Sequence, residues 1–327
     1  MSGMNPEHHI APELRQVLLK KSDLRGFMAL GATYLLIAVA MVLAVWPGPL
    51  QLLRGAMAVV LFGSAQIGLA VLMHECAHRS LFRRRSVNDW VGRWLCAEVL
   101  IQDLGLYRRY HLLHHKHTGT NRDPDAHITR AYPVPLKSMC RKVARDLLGI
   151  TGLKTYAGIV AMKARYFRYQ LNGRLQRDEK FLHAPWHSYF ANAAKGLRGA
   201  ALVYAIFIGV SIATGYWIVP LLWLIALFTS FQLMLRLRQI GDHGMVSDRN
   251  SENILVNTRT TDGLLIERLL LAPHQVHLHL EHHLMPGVPC YRLPALREAL
   301  REQGILEQAE VAHSRSYLGL LRAAVRG

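Results

Sequence analysis

The segment from Tyr110 to His117 carries the densest group of reactive side chains in the sequence. Four of the seven residues from His111 to His117 are histidines. In a helix, His111, His114 and His115 stand at positions i, i+3 and i+4, so their imidazoles share one face. Neutral imidazole is a common metal ligand, and neither a solvated loop nor an apolar core would collect it at this density. The spacing therefore predicts part of a metal site.

Further histidines elsewhere in the chain could complete that site. They are His74 with His78 at i and i+4, His279 with His282 and His283 at i, i+3 and i+4, and the single His243. With the first group they make eight histidines, or nine when His243 is included. A zinc site takes about four ligands, so this number predicts two metal ions with about four to six ligands each. Imidazole suits zinc, copper, iron and nickel alike, so the ligands alone do not identify the metal.

The segment from His74 to His78 also matches HExxH, the motif of zinc metalloproteases, in which Glu75 would be the general base. A membrane zinc protease is therefore one alternative. Such an enzyme needs only one further ligand, and it leaves both HxxHH groups unexplained. We favour the two-metal interpretation, in which Glu75 supports a ligand or lies on the helix surface.

The composition around these groups is that of an integral membrane protein. Of 327 residues, 51% are hydrophobic, and 39 Lys and Arg against 22 Asp and Glu give a net charge of +17. The charge alone would suit nucleic-acid binding. Long uncharged apolar runs indicate instead a multi-pass protein whose basic side faces an anionic cytoplasmic leaflet. The predicted spans are residues 27–46, 55–73, 199–214 and 216–235.

The spans pair into two hairpins that begin and end on the same side of the membrane. Arginines follow the end of each hairpin, at positions 83–85 and at 236 and 238. By the positive-inside rule, both termini and all the histidine groups are then cytoplasmic. The histidines can converge only if the cytosolic segments fold onto the ends of the spans. We therefore predict an all-α membrane protein with four transmembrane helices and a helical cytosolic cap that holds the metals.

This topology divides the chain into five segments of one catalytic domain. Residues 90–106 contain Arg93, Glu98 and Asp103, and charges at that depth favour an interfacial or re-entrant helix over a span. The segments are a cytosolic N-terminus (1–26), a first hairpin with the first histidine group and the interfacial helix (27–106), a cytosolic region with the second group (107–198), a second hairpin (199–235) and a cytosolic cap with the third group (236–327).

The order HxxxH, HxxHH, HxxHH is accompanied by further motifs. They are His114-His115-Lys116-His117-Thr118 before Asp123-Pro124-Asp125, Asn257-Thr258-Arg259-Thr260 before the third group, and Glu281-His282-His283-Leu284-Met285-Pro286 within it. Over about residues 55–300, this pattern resembles the membrane-bound fatty acid desaturase and hydroxylase superfamily, and within it the acyl desaturases. The three groups correspond to the histidine boxes of that superfamily.

The resemblance implies two iron ions that activate dioxygen and remove hydrogen from an unactivated C–H bond of a lipid chain. It implies that His243 is a ninth iron ligand in addition to the eight of the boxes. Those eight are His74, His78, His111, His114, His115, His279, His282 and His283. The expected reaction is desaturation of a fatty-acyl lipid. The alternative is hydroxylation or another oxidation of an alkane, fatty acid or lipid by the same site. A metal transporter is disfavoured, because no acidic residue or histidine lies mid-span.

Carboxylates often accept the second ring N–H of a metal-bound imidazole, and four of them are candidates for this role. They are Asp123, Asp125, Asp242 and Glu281. Relatives often have an Asn four residues before the extra histidine, near a metal-bound water, whereas this chain has Gln239. An apolar tunnel would hold the acyl chain, and its lining could include Trp90, Trp94, Tyr107 and Phe231.

The sequence contains neither the His-Pro-Gly-Gly signature of a fused cytochrome b5 nor a segment resembling a ferredoxin. We therefore expect electrons to come from a separate ferredoxin, rubredoxin or cytochrome b5-like protein with its reductase. The basic cytoplasmic face would steer such an acidic carrier by long-range electrostatics. The other expected partners are the bilayer and a lipid substrate, without nucleic acid.

Overall fold

The computed structural model describes residues 10–172 and 174–326 and is mostly helical. Within these described residues, four helices are long and apolar enough to cross a membrane. They are α2 (Asp23–Val45), α3 (Gln51–His78), α9 (Trp186–Ala213) and a fourth that is interrupted at Thr229 and consists of α10 (Ile218–Phe228) and α11 (Ser230–His243). Short loops join them in pairs. The predicted all-α membrane fold with two helical hairpins is thus confirmed.

The remaining helices are shorter and lie outside the hairpins. They are α1 (Pro12–Leu19), α4 (Arg85–Val91), α5 (Leu104–His117), α6 (Ala126–Thr129), α7 (Leu136–Leu147), α8 (Ile150–Lys163), α12 (Ile254–Asn257), α13 (Leu265–Leu270), α14 (His279–Leu284), α15 (Leu293–Glu302) and α16 (Tyr317–Ala323). Single 3-10 turns occur at Glu98–Leu100, Glu179–Phe181, Pro273–Gln275 and Cys290–Arg292.

Two pairs of very short parallel strands, which the sequence did not predict, join distant parts of the chain. They are β1 (Val134–Pro135) with β4 (Val325–Arg326), and β2 (Arg259–Thr261) with β3 (Ala312–Ser314). Val134 lies opposite Val325, and Arg259 lies opposite Ala312. The C-terminal segment is thereby held both to the region after α6 and to the chain that precedes the third box.

The membrane-crossing helices extend beyond the predicted spans. α3 continues past residue 73 to His78, so both histidines of the first box belong to the helix. α9 begins at Trp186, well before residue 199, and takes in part of the region predicted as cytosolic. α11 likewise continues to His243. Hydropathy marks only the apolar part of a helix, whereas the helix itself continues for as long as its backbone hydrogen bonds do.

The segment predicted as one interfacial helix (90–106) is instead broken. α4 continues into a π-helical turn (Gly92–Ala97) and a 3-10 turn (Glu98–Leu100). Gly92 lies so close to α3 that a Cβ placed there would stand 2.4 Å from the Cβ of Cys76. The segment is therefore packed on α3, and it leads the chain back to α5, which carries the second box.

α3 is the central helix of the structure and contacts α2, α5, α10 and α11. Small residues allow these helices to approach closely: Gly63 of α3 lies against Ser230 of α11, and Gly68 lies against Thr33 of α2. Close contact at small residues is a common way in which membrane helices associate. Because α3 carries the first box and α11 carries His243, their packing fixes these histidines relative to each other.

Part of the chain after α11 packs beside the spans. The hydroxyl of Ser64, midway along α3, donates a hydrogen bond to the carbonyl of Leu269 in α13 at 3.1 Å. The hydroxyl oxygen of Thr33 in α2 lies 2.7 Å from Nε2 of His274. The segment 236–327, which the sequence predicts as a cytosolic cap, thus extends along α3 before it returns with the third box.

α8 packs through Gly152 against the break between α10 and α11. A Cβ at this position would stand 2.5 Å from backbone atoms of Phe228, which cannot rotate away as a side chain could. We expect Gly152→Ala to destabilise the protein by about 1–3 kcal/mol through overpacking, measured as a lower midpoint of thermal unfolding in detergent. Gly209→Ala is the control, because a Cβ there meets nothing within 4 Å. Equal midpoints for the two variants would contradict this packing.

Candidate metal centre

The last turn of α3 carries the first two histidines. The rings of His74 and His78 lie one helical turn apart, with centroids 4.8 Å from each other. Arg79 then adopts a left-handed conformation with φ 56°, and its N–H bonds back to the carbonyls of Glu75 and Cys76. The i, i+4 spacing thus becomes one imidazole-bearing face at the end of a buried helix.

α5 carries the second box, and its first turn is set by Asp103. The Asp103 carboxylate accepts a hydrogen bond from the Leu106 N–H at 2.8 Å, which is an N-cap arrangement. Tyr107, one turn before the box, stacks on His111 with ring centroids 5.3 Å apart and planes within 5°. The start of the helix therefore determines where the box faces, and Tyr107 supports its first ring.

The third box forms α14, all of whose residues are buried, and His243 is the last residue of α11. Nε2 of His243 lies 3.0 Å from Nε2 of His279 and 3.2 Å from Nε2 of His114. Its Nδ1 lies 3.3 Å from the carbonyl oxygen of Asn257 and donates to it in that tautomer. His243 therefore connects the second box with the third.

All nine candidate ligands converge, and they do so as two groups. In each group, one ring nitrogen of every histidine lies within 4.8 Å of the others. The first group is His74, His78, His111, His115 and His282, and the second group is His114, His243, His279 and His283. Each group draws on three different helices. No single box makes a site alone.

The nitrogens in the first group are spaced as metal ligands are. Nε2 of His111 lies 3.0 Å from Nε2 of both His78 and His115, and Nε2 of His115 lies 3.1 Å from that of His282. An ion bonded to imidazole nitrogen at about 2.0–2.1 Å, the distance found for zinc, brings adjacent ligand atoms to about 3 Å from each other. The spacing fits a bound ion.

Buried nitrogens without partners lead to the same conclusion. Among the described residues, neither ring nitrogen of His74 has a hydrogen-bond partner, and Nε2 of His283 has none. A buried polar atom left without a partner is costly, and a metal ion would use these lone pairs. The residues present therefore fit metal binding in both groups.

The surroundings keep most of these imidazoles neutral, which is the form that binds metal. Burial lowers the pKa of His111, His282 and His283 well below the usual value, and neighbouring imidazoles lower it further. At neutral pH these side chains offer lone pairs without carrying charge.

Asp123, one of the predicted supporting residues, contacts a box imidazole directly. Nδ1–H of His114 donates to Oδ1 of Asp123 at 2.8 Å, which leaves Nε2 to face the second group. Burial by itself would lower the pKa of His114, but this hydrogen bond and the charges of Asp125 and Asp123 outweigh it and raise the pKa. Asp125 lies 3.9 Å from the same Nδ1 and accepts a hydrogen bond from the Tyr110 hydroxyl.

Glu281 does not make the contact that the sequence suggested. Its carboxylate accepts a hydrogen bond from the Thr260 hydroxyl at 2.8 Å and lies 3.8 Å from Arg297, instead of contacting an imidazole. The reason is the helical period, because the i, i+3, i+4 spacing puts the three histidines on one face of α14 and turns residue 281 away from it. Asp242 lies 3.9 Å from Nδ1 of His279, and Gln239 lines the cavity beside the second group.

Glu75, the candidate base of a zinc protease, is already engaged. It is buried, and it accepts hydrogen bonds from the Cys290 N–H at 2.9 Å and from the Ser80 hydroxyl at 3.0 Å. A carboxylate held by two donors in the interior is not placed to activate a water molecule. Its contacts instead join the end of α3 to the chain that follows the third box.

A cavity of about 260 Å³ opens beside both histidine groups, and five of the nine candidate ligands reach its wall. Much of the remaining wall is apolar. Of the four aromatic residues proposed from the sequence, Tyr107 and Phe231 line the cavity. Trp90 is exposed, and Trp94 lies under the guanidinium of Arg93. The cavity is placed to bring an apolar chain next to the histidines.

Two further residues at the site were missed from the sequence. The carbonyl oxygen of Asn257 contacts Nδ1 of His243. The motif that begins at Asn257 was recognised in the sequence, but a motif of side chains does not predict a contact made by the backbone. Arg238 lines the cavity. From the sequence it was interpreted only as one of the arginines that mark the cytoplasmic side of the membrane. Its signal was available, because it lies one turn before Asp242 in a helix that begins as an apolar span.

Comparison with known proteins identifies relatives of the whole framework. The sequence model of the fatty acid desaturase family matches residues 47–315, which include every candidate ligand. The dihydrorhizobitoxine desaturase of Bradyrhizobium elkanii is 28% identical, over 85% of this chain and 77% of its own length. The sn-1 oleoyl-lipid 12-desaturase of Picosynechococcus sp. is 23% identical, over 71% of this chain and 65% of its own length. The enzyme of the same name from Synechocystis sp. is 27% identical, over 73% of this chain and 66% of its own length.

The family match covers well over half of the chain, and these relatives are desaturases by name. The four apolar helices and the histidine groups agree with it. The chain therefore belongs to the fatty acid desaturase family and is a membrane-associated oxidoreductase.

Proposed function

We propose that this protein is a dioxygen-dependent di-iron desaturase of a fatty-acyl chain. The main support is the division of nine clustered imidazoles into groups of five and four beside one cavity. Two groups suit two metal ions, and membership of the family favours iron. All nine histidines are proposed as ligands, with Asp123 as the residue that orients His114.

Two iron ions, when bound, would supply the activation of dioxygen and the removal of hydrogen from an unactivated C–H bond. In the overall reaction, two adjacent methylenes lose one hydrogen each and become a double bond. Dioxygen is reduced to two molecules of water, and it takes up those two hydrogens together with two protons and two electrons from a donor protein. The oxidation of the chain and the reduction of dioxygen then balance.

The protein's own residues contribute neutral ligands, positioning and exclusion of water. Three helices hold the imidazoles of each group, so ligand geometry depends on helix packing and not on mobile loops. The apolar wall of the cavity, which includes Tyr107 and Phe231, would hold one methylene beside the two groups. No side chain is required as a general base.

We further propose that the site and both chain ends face the cytoplasm. Of the five segments, the two hairpins would then lie in the membrane, and the N-terminal segment, the middle region and the cap would lie on its cytoplasmic side. A separate ferredoxin, rubredoxin or cytochrome b5-like carrier with its reductase would supply the electrons. Exposed basic residues suit an acidic carrier, and several border one groove on this side. They include Arg93, Arg109, Lys195 and Arg198.

Expression in a bacterial host should yield a fatty-acyl product two mass units lighter than its saturated precursor, detected by mass spectrometry of the host lipids. His282→Ala should abolish that product, because it removes a first-group nitrogen 3.1 Å from Nε2 of His115. His183→Ala is the control and should leave the yield unchanged, since His183 is exposed and outside both groups. A product sixteen mass units heavier would favour hydroxylation, and an unchanged yield in His282→Ala would contradict the proposed site.

Elemental analysis of the purified protein should give close to two irons per chain, and a single tightly bound zinc would contradict the proposal.

Asp123→Asn retains the size of the side chain but removes the charge that holds Nδ1–H of His114. We expect iron affinity to fall about 10–100-fold in the second group, measured as iron retained against a competing chelator, while the first group keeps its ion. Asp248→Asn, an exposed carboxylate outside both groups, should retain both irons.

A further inference from the structure

Arg238 is a largely buried cation whose Nε has no hydrogen-bond partner among the described residues. Its side chain is 14% exposed and lines the cavity beside the second histidine group. Among the described residues its one polar contact is with Asp242, whose Oδ2 lies 3.4 Å from Nε. That contact does not have hydrogen-bond geometry, so Nε of Arg238 has no hydrogen-bond partner, and neither has Oδ1 of Asp242.

Other arginines in the interior are satisfied. Arg236, two residues earlier on α11, donates to both carboxylate oxygens of Asp146 at 2.5 and 2.7 Å. Arg259 donates to the Gly244 carbonyl at 3.0 Å and to further oxygens around it. Since a guanidinium has five N–H donors and loses its water on burial, an unsatisfied one is costly. Unlike these two arginines, Arg238 has a buried Nε without a hydrogen-bond partner among the described residues, which requires an explanation.

The guanidinium of Arg238 belongs to the wall of the cavity where a substrate would lie. A planar guanidinium matches the two oxygens of a carboxylate, and such bidentate pairs are among the stronger hydrogen-bonded contacts in proteins. Gln239 lines the same wall and adds an amide that can donate to a carboxylate oxygen. The rest of the wall, including Tyr156, Leu171 and Phe231, suits an apolar chain. The wall also includes Arg236, which is hydrogen-bonded to Asp146, and the carboxylates of Asp125 and Asp242. Arg238 is thus the cavity arginine that lacks a hydrogen-bonded carboxylate among the described residues.

We infer that the cavity recognises a free carboxylate at Arg238, so that the substrate is an unesterified apolar carboxylic acid and not an acyl chain esterified in a membrane lipid. The inference rests on the proposed desaturase function and narrows its substrate class. The names of the relatives allow this choice, since they give two different substrates for one family.

The position of Arg238 also limits where the double bond forms. Arg238 precedes His243 by five residues, which is about 7.5 Å along a helix axis. Asp242, which contacts Arg238, lies 3.9 Å from Nδ1 of His279. A carboxylate bound to Arg238 is therefore next to the second histidine group. The methylenes that reach the metals are then among the first few carbons after the carboxylate, and not those in the middle of a long chain.

Binding of dodecanoic acid and of its methyl ester to the iron-loaded, full-length protein in detergent tests this inference. We expect the wild type to bind the acid at least tenfold more tightly than the ester. Arg238→Gln should weaken acid binding at least tenfold and leave ester binding within twofold, and Arg238→Lys should recover part of the difference. Arg141→Gln, an exposed arginine on α7, is the control and should behave as the wild type.

Iron content and the midpoint of thermal unfolding, measured on each variant, show whether Arg238→Gln still folds. Equal affinity of the wild type for acid and ester would overturn the inference, and so would an equal loss for both ligands in Arg238→Gln. The proposed function is tested separately by the host lipid profile. If double bonds form but lie mid-chain in esterified lipids, the inference fails and the desaturase function stands. If the acid binds selectively but no double bond forms, the desaturase function fails.

Discussion

Nine largely buried imidazoles have to keep ring nitrogens available for the proposed metal ions and aimed at one another, and the helices around them serve this requirement. Solvent cannot supply their hydrogen bonds, and a proton on one ring would repel a metal ion and raise the cost of protonating its neighbours. Loops would not hold so many ring nitrogens at about 3 Å from each other. The ligands instead come from the ends of packed helices, where the 3.6-residue period turns an i, i+3, i+4 spacing into a face. Each group needs three helices to end at the same place.

Polar contacts between the box-bearing elements keep those helix ends together. Arg108 of α5 donates to the carbonyls of Cys76 and Ala77 at 2.9 Å, so it binds two acceptors in the last turn of α3. Glu75 of α3 accepts the N–H of Cys290, shortly after α14. The helix of the second box is thus joined to the helix of the first box. The helix of the first box is joined in turn to the chain that follows the third box. Because these contacts are buried or half-buried, losing one would leave a polar group without a partner, and this favours a single arrangement of the boxes.

Residue spacing was sufficient to predict the boxes, their association and the four-helix membrane fold, because each depends on a local pattern. Helix period places His111, His114 and His115 together, and hydropathy locates the apolar core of each span. Features that depend on tertiary contact could not be predicted. The extension of α9 back to Trp186, the contact of Ser64 with Leu269 and the sorting of His114 away from His111 and His115 all follow from which helices meet. Glu281 is the instructive case, since its neighbours in sequence are candidate ligands while its own side chain faces Thr260 and Arg297.

α11 carries both Arg238 and His243, so it would link the proposed recognition of the substrate to the proposed binding of the metals. α11 is separated from α10 by the break at Thr229, so its direction is not imposed by the span that precedes it. Asp146 sets that direction instead, since it binds Arg236 of α11 and accepts a hydrogen bond from Thr151 of α8 at 2.6 Å. Within the next two turns α11 presents Arg238 to the cavity and His243 to the second histidine group. A shift of α11 would therefore move both residues together, so a substrate held by Arg238 keeps a fixed position relative to the second group. Such coupling requires a rigid helix, and α11 is anchored at both ends, by Ser230 against α3 and by the Asn257 carbonyl at His243.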